Sequence, residues 1–451
     1  MSSLKPSLLS CAIAFCSLPV TADNSYDSFI ADAKIDGKVQ TVFFNDKDTS
    51  DNKSSGAWTG AIWLNAQTGY FADFVSVGGS AYRVVELDMK DENVSSSDLL
   101  NADKKGFGQL GQIWIDFKLP ESYDGLSADV KIGRQLVETG LLTTARIYSV
   151  PNAWQGVAAA VEMDSFKGKV AWLDESSKKS QSGFHHIVNN EGKRIDWVMG
   201  MQLDYTFELS NRRTLELQYR NGLADNYLNA HNGNAWFKMP LHNGSEMTLG
   251  GMYFHAKQDG SLWGKNERGY SFENKAKSGN LNATLNNGSW TINAAINYTK
   301  ANTESSASTT GNNYHTIGHY NYYFGSNTQG VWDVPTSAIV SDFNFNKEKV
   351  WLIGAEYDFS NIGLEGLSLG YTFFYGSGMK AKELGTGNDH DVTEHEHDLT
   401  MKYNFSRLGI EGLQFKLQYG YYRNDEAFRK ATTGQNEAEV LRAWLSYNLA
   451  I

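Results

Sequence analysis

The sequence predicts an all-β fold: an 18-stranded antiparallel transmembrane β-barrel with short periplasmic turns and long extracellular loops. Three observations predict it. Side chains alternate with period two from one end of the chain to the other, connections alternate between short and long, and proline is nearly absent from the alternating segments.

The alternation is clearest near the C-terminus, where Leu413, Phe415, Leu417 and Tyr419 interleave with Gln414, Lys416, Gln418 and Gly420. Leu399, Met401, Tyr403 and Phe405 interleave in the same way with Asp398, Thr400, Lys402 and Asn404. The last segment sets Leu441, Ala443, Leu445, Tyr447, Leu449 and Ile451 against Arg442, Trp444, Ser446 and Asn448. Earlier, Trp290, Ile292, Ala294, Ile296 and Tyr298 form one row, as do Ile113, Ile115, Phe117 and Leu119. Period two is the signature of a strand with two different faces. The apolar rows end in Tyr, Trp or Phe, and the opposite rows carry Asn, Thr, Gln and Gly with few charges. That pairing suits a lipid-facing surface and a wet lumen better than a soluble sandwich.

Short connections fall near 68–73, 119–126, 164–166, 208–213, 240–245, 286–288, 360–366 and 406–412. Long polar ones fall near 45–56, 87–107, 135–155, 176–194, 258–274, 301–347, 378–393 and 425–436, with a shorter one near 222–227. These connections join eighteen strands and leave both termini on the short-turn side, the bacterial outer-membrane arrangement. Pro120, Pro151, Pro240 and Pro335 all sit in connections, where a missing N–H costs no ladder bond. One internal repeat fits a hairpin: Tyr357-Asp358-Phe359-Ser360 through Gly363 to Leu367 returns as Tyr403-Asn404-Phe405-Ser406 through Gly409 to Leu413.

Composition removes several classes. Aromatics at 13% exclude disorder. A mean hydropathy of −0.44, with no apolar run long enough to span a bilayer, excludes a helical membrane protein. A net charge of −11 argues against a nucleic-acid partner. Residues 1–22 read as a signal peptide, with Lys5, an apolar stretch from Leu8 to Leu18 and a Val20-Thr21-Ala22 cleavage site, leaving 23–451 as the barrel. Cys11 and Cys16 both fall in the leader, so an exported chain must close without disulfides. In hydrocarbon a sheet can do so only as a closed barrel. A secreted β-propeller or β-helix is the competing all-β reading, disfavoured by the alternation of loop lengths.

Several segments resemble the OprD family of outer-membrane porins: Trp58 to Gly60, Gln67-Thr68-Gly69-Tyr70 with Asp73-Phe74, and Val130 to Gln135 followed by Arg146, Pro151 and Gln155-Gly156. The stretch from Tyr357 to Tyr371 resembles a late hairpin of that family. Within it, Gly69 to Asp73, Ser149 to Gly156, and Trp332-Asp333 with Ser341 to Asn344 resemble the chitoporin branch. Ile451 departs from the Phe that usually ends such barrels. The resemblance implies passive or facilitated diffusion of small hydrophilic solutes across the outer membrane. Its branch implies chitin-derived oligosaccharides; basic amino acids or small carboxylates are the alternative. It also implies no enzyme activity and no cofactor. The partners it implies are the solutes, outer-membrane lipid and the barrel-assembly machinery; the oligomeric state is open.

Such porins fold the loop after strand five into the lumen. Here that loop carries Arg146, Tyr148 and Trp154, with Arg134 just before it, and these are candidates for a constriction that stacks on sugars or hydrogen-bonds them. Their structural alternative is to anchor the loop to the wall. The longest loop adds Tyr314, Tyr320, Tyr322, Tyr323, Trp332 and Asp333, which could contact solute or pack the loop. Inward positions predict a charged lumen of Lys38, Lys131, Lys169, Arg220, Lys238, Lys402, Lys416 and Arg442 facing Asp116, Asp129, Asp204, Glu216 and Glu356. His390, His395 and His397, interleaved with Asp391, Glu394 and Glu396, do not match a zinc spacing and read as a solvated loop and strand entrance, as does His185-His186. No local signature marks a catalytic set, and the chain is too short for a plugged receptor, which needs about 22 strands.

Overall fold

The computed structural model describes residues 25–50, 53–89, 95–119, 125–303, 313–328, 334–432 and 434–450. The proposed leader, Trp332, Asp333 and Ile451 lie outside the described residues. Eighteen long strands run through the described chain. The first nine are β1 (Lys34–Asp48), β2 (Trp58–Gln67), β3 (Val75–Asp88), β4 (Gly108–Lys118), β5 (Leu126–Gln135), β6 (Ala153–Met163), β7 (Phe166–Ser177), β8 (Val198–Leu209) and β9 (Arg213–Ala224). The rest are β10 (Leu228–Pro240), β11 (Glu246–Gln258), β12 (Lys275–Asn287), β13 (Trp290–Ala301), β14 (Lys349–Asp358), β15 (Leu367–Lys382), β16 (Asp389–Asn404), β17 (Leu413–Asn424) and β18 (Ala438–Ala450). Each pairs antiparallel with its neighbours in sequence, and β18 returns to β1 in a register that includes Val39↔Tyr447 and Val42↔Trp444. The sheet therefore has no free edge, which is what a β-structure in lipid requires.

One row of each strand faces out. Ile62, Ile113, Leu281, Ile296, Ile353 and Leu399 lie on it and are more than half exposed. On β13 the outer row is bounded by Trp290 below and Tyr298 above, about 27 Å apart along the strand and less along the tilted barrel axis. Trp290 packs on Tyr357, and Tyr403 on Phe405, forming part of the aromatic girdle at the short-turn end.

The repeated motif makes two matching turns, Phe359–Ile362 and Phe405–Leu408. The side chain of Asp358 accepts from the Ser360 N–H and that of Asn404 from the Ser406 N–H, and each turn ends in a left-handed glycine, Gly363 or Gly409. Three short helices, Ser25–Ala31, Lys265–Tyr270 and Glu426–Ala431, escape the period-two reading because none lasts long enough to show a helical repeat.

The connection expected at 378–393 is much shorter. β15 and β16 pair up to Lys382↔Asp389, so only 383–388 joins them. His395 and His397 consequently lie on the outer face of β16, where His397 meets Tyr371 at 2.7 Å, while Glu394 and Glu396 turn inward and are buried. The expectation of a solvated loop there is corrected: cross-strand pairing carries the alternation past a run of charges that looked like a loop.

Candidate functional site

The loop between β5 and β6 leaves the wall and crosses the lumen. Its base rests on β8 and β9, where Gly200 and Gly222 are cross-strand partners and leave the wall bare. A Cβ on Gly200 would come within 2.2 Å of the Thr139 carbonyl oxygen, and one on Gly222 within 2.2 Å of the Phe324 ring. Gly140, at φ +63, lies flat against the same wall; a Cβ there would strike the Asn221 carbonyl oxygen at 2.2 Å. Gly140→Ala therefore meets both a steric and a backbone penalty. These glycines carry no chemistry, and only the contact they permit explains them.

The loop tip is held by side chains from distant strands. Gln40 of β1 donates to the Tyr148 and Ser149 carbonyls at 3.1 and 2.7 Å. Trp63 of β2 donates to the Ser149 carbonyl at 2.8 Å, and Trp444 of β18 to the Ile147 carbonyl at 2.6 Å. The Thr59 and Ser149 hydroxyls meet at 2.6 Å. A crossing loop has no ladder to satisfy its carbonyls, so these donors replace one.

Arg146 and Ile147 are the exposed residues of this tip, and they border two cavities. One, of about 460 Å³, lies between Thr144–Tyr148 and Tyr320–Phe324 of the β13–β14 loop. The other, of about 480 Å³, reaches toward the short-turn end and is lined by Lys38, Gln40, Glu356, Lys402, Gln414, Lys416 and Trp444. Arg146 bonds Glu138 at 3.2 Å, with both side chains more than half exposed, so this pair contributes little to stability. Tyr148 is half-buried between Phe44 and the Lys179 ammonium, which sits 3.5 Å from its ring centre.

Two constriction candidates are corrected. Trp154 is on the inward row but wholly covered by the loop, its indole N–H donating to the Thr143 carbonyl at 3.3 Å; it anchors the loop and cannot reach a solute. Arg134 pairs with outward-facing Ile113, and its guanidinium lies over Phe184 at 4.5 Å, outside the pore.

All thirteen charged lumen candidates lie on the inward row. Many are matched there: Lys131 with Asp116 at 3.8 Å, Lys238 with Glu216 at 3.9 Å, Lys402 with Glu356 at 2.9 Å and Arg442 with Asp46 at 3.6 Å. Asp204 accepts from Gln202 and Gln218, and Arg220 donates to Asn232. Asp129 lies between Lys118 and Ala160, and Lys169 between Ala160 and Gln202. Lys38 and Lys416 differ: each sits over an aromatic ring, Trp63 at 4.7 Å and Trp444 at 5.0 Å, and neither has a carboxylate partner among the described residues.

The β13–β14 loop fills the other side. Tyr320, Phe324, Trp263 and Phe272 form a buried cluster with Trp154, whereas Tyr323 is 41% exposed into the upper cavity. Burial pushes the Tyr322 hydroxyl up to about 12 and the His319 imidazole down to about 4. The segment ending this loop is captured by carboxylates of β16. Asp398 accepts from the Ile339 N–H at 3.1 Å, and Glu396 from the Val340 and Ser341 N–H groups at 2.7 and 2.9 Å. Glu394 accepts from the Ser341 hydroxyl at 2.9 Å and from the Tyr422 hydroxyl. Sequence reasoning missed this latch, although Glu394, Glu396 and Asp398 stand at strand spacing.

Glu348 is buried against Glu394, and both desolvation and that neighbour raise its carboxyl well above its ordinary 4.5. A raised acid favours folding while protonated, so its contribution is complete below 4.5 and is lost as pH rises through the raised value. Amide exchange across 338–345, corrected for intrinsic base catalysis, is expected to accelerate as pH rises above the ordinary carboxyl range, and Glu348→Gln to flatten that rise. An unchanged pH dependence in the variant would remove Glu348 from the latch.

A closed barrel with an aromatic-bounded outer face, a wet charged interior and a loop folded across it defines an outer-membrane diffusion channel. Comparison agrees: the family described as "outer membrane porin, OprD family" matches residues 27–451. The chain belongs to the OprD family, whose members are porins and not enzymes; it resides in the bacterial outer membrane and takes up small solutes. Similar solved structures include OccAB1 of Acinetobacter baumannii (17% identity, TM-score 0.76, covering 96% of this chain and 100% of that one). OccK9 (OpdG) of Pseudomonas aeruginosa is 16% identical with TM-score 0.74, covering 94% and 100%. OpdK of Pseudomonas aeruginosa, with vanillate, is 18% identical with TM-score 0.69, also covering 94% and 100%. No curated protein sequence matches the chain.

Proposed function

We propose that this porin favours small solutes bearing a carboxylate, which meet Arg146, Lys38 and Lys416 as they pass the folded loop. The observation that carries this reading is the cavity below Arg146, where Lys38 and Lys416 lack carboxylate partners among the described residues. Such cations lining a solute path exchange readily between chloride, water and a passing carboxylate. The flat face of Trp444 and the amides of Gln40 and Gln414 border the same space and suit a planar solute. OpdK, of the same fold, is described with vanillate, itself an aromatic carboxylate.

A chito-oligosaccharide is the second reading, favoured by exposed Tyr323 in the upper cavity. It loses one stacking ring with Trp154 and otherwise rests on Trp332. Assembly by the barrel machinery after removal of residues 1–22 belongs to the same proposal.

Single-channel recording in a planar bilayer separates the readings. Vanillate is expected to block the current in discrete events at concentrations where chitohexaose and arginine do not. Block by chitohexaose alone would transfer the channel to sugars, and block by arginine alone to basic amino acids.

A further inference from the structure

The outer face of β10 to β13 departs from the rest of the barrel. At the long-loop rim, His231, His255, Lys277 and Lys300 are successive cross-strand partners and form one outward row. Immediately above it, Lys257 pairs with Lys275. With strands about 4.8 Å apart and alternate residues about 7 Å apart, four lysines share a patch the size of a phosphorylated sugar. None of the four forms an ion pair among the described residues. Some other outer-rim cations are matched, as Arg423 is by Glu439 at 3.1 Å and Lys380 by Asp391 at 3.5 Å.

Directly below lies a groove of about 610 Å³ on the lipid-facing surface. Gly233, Ala235 and Gly251 form its floor, and Leu217, Tyr219 and Tyr253 are among its walls. A Cβ on Gly233 would meet nothing within 4 Å, so the floor is open to an occupant. An apolar trough leading up to unmatched cations has the polarity of a lipid: acyl chains below, anionic headgroup above.

We propose that this face binds a phosphorylated lipid of the outer leaflet, its phosphate held by Lys257, Lys275, Lys277 and Lys300 and an acyl chain lying over Gly233. Charge complementarity selects this occupant over a second copy of the chain, whose own rim would bring the same lysines or matched pairs. Among the described residues the four lysines adjoin this one groove, so one site per barrel is expected.

Native mass spectrometry of the detergent-purified porin tests the proposal with added lipid A, its dephosphorylated form, and inorganic phosphate as competitor. One lipid A per barrel is expected, bound at least tenfold more tightly than the dephosphorylated form and not displaced by phosphate. The combined variant Lys257→Gln, Lys275→Gln, Lys277→Gln, Lys300→Gln should lose at least tenfold in occupancy while keeping wild-type single-channel conductance. Gly233→Leu, which fills the trough and leaves every cation in place, should also lower occupancy. Equal binding of the two lipids by the wild type would overturn the proposal whether or not the variants fold. So would wild-type occupancy in the folded quadruple variant, or light scattering showing that this face joins two copies.

Discussion

Arg146→Ala should weaken vanillate block by about fivefold and raise the open-channel conductance. A unit charge about 4 Å from a carboxylate in a water-like medium is worth about 1 kcal/mol, or roughly a fivefold change in occupancy. The side chain is exposed where both cavities meet, so its removal takes away charge and widens the passage together. Its ion pair with Glu138 is exposed, and folding should be unaffected. Concentration-dependent block recorded on both proteins checks this; unchanged block and conductance would place Arg146 outside the solute path.

The larger effect is expected from unfastening the loop. The double variant Gln40→Ala, Trp63→Phe removes three hydrogen bonds to the Tyr148 and Ser149 carbonyls and leaves both strands intact. Buried carbonyls left without donors cost about 1–3 kcal/mol each, enough to shift the tip from one seated state to several. Single-channel traces should show a higher mean conductance with frequent transitions between levels. A quiet trace at the wild-type level would mean that Trp444 and the glycine platform hold the loop without these donors.

The barrel was legible because its determinants are local. Alternation in segments such as Trp290–Tyr298 places each residue on a face, and the paired Tyr357 and Tyr403 motifs carry their own caps and turn glycines. The inward charges followed from the same parity. The constriction was only half legible, because its geometry depends on contacts between residues far apart in the chain. Gln40 reaches a loop more than a hundred residues away, and Trp444 one nearly three hundred away. Neither residue looks unusual in its own strand.

Trp154 shows the same limit: the sequence places it in the loop, whereas β6 already begins at Ala153 and turns it inward beneath that loop. Arg134 failed for a different reason. It lies one residue off the inward row, next to Gly133 at φ +126, so its place just before the loop turns it to the outer face. In β16, continuing the alternation from Asp398 back through Glu396 and Glu394 to Val392 would have exposed both the strand and its inward carboxylates. The density of charge there masked the period.

The β5–β6 loop crosses the pore with Arg146 exposed at both cavities, where it meets passing solute. Arg146→Cys, reacted with a bulky methanethiosulfonate during single-channel recording, tests it most directly. One discrete drop in current per channel is expected, obtainable with reagent on either side, because this position borders both cavities. Complete labelling by mass with no change in current would contradict it.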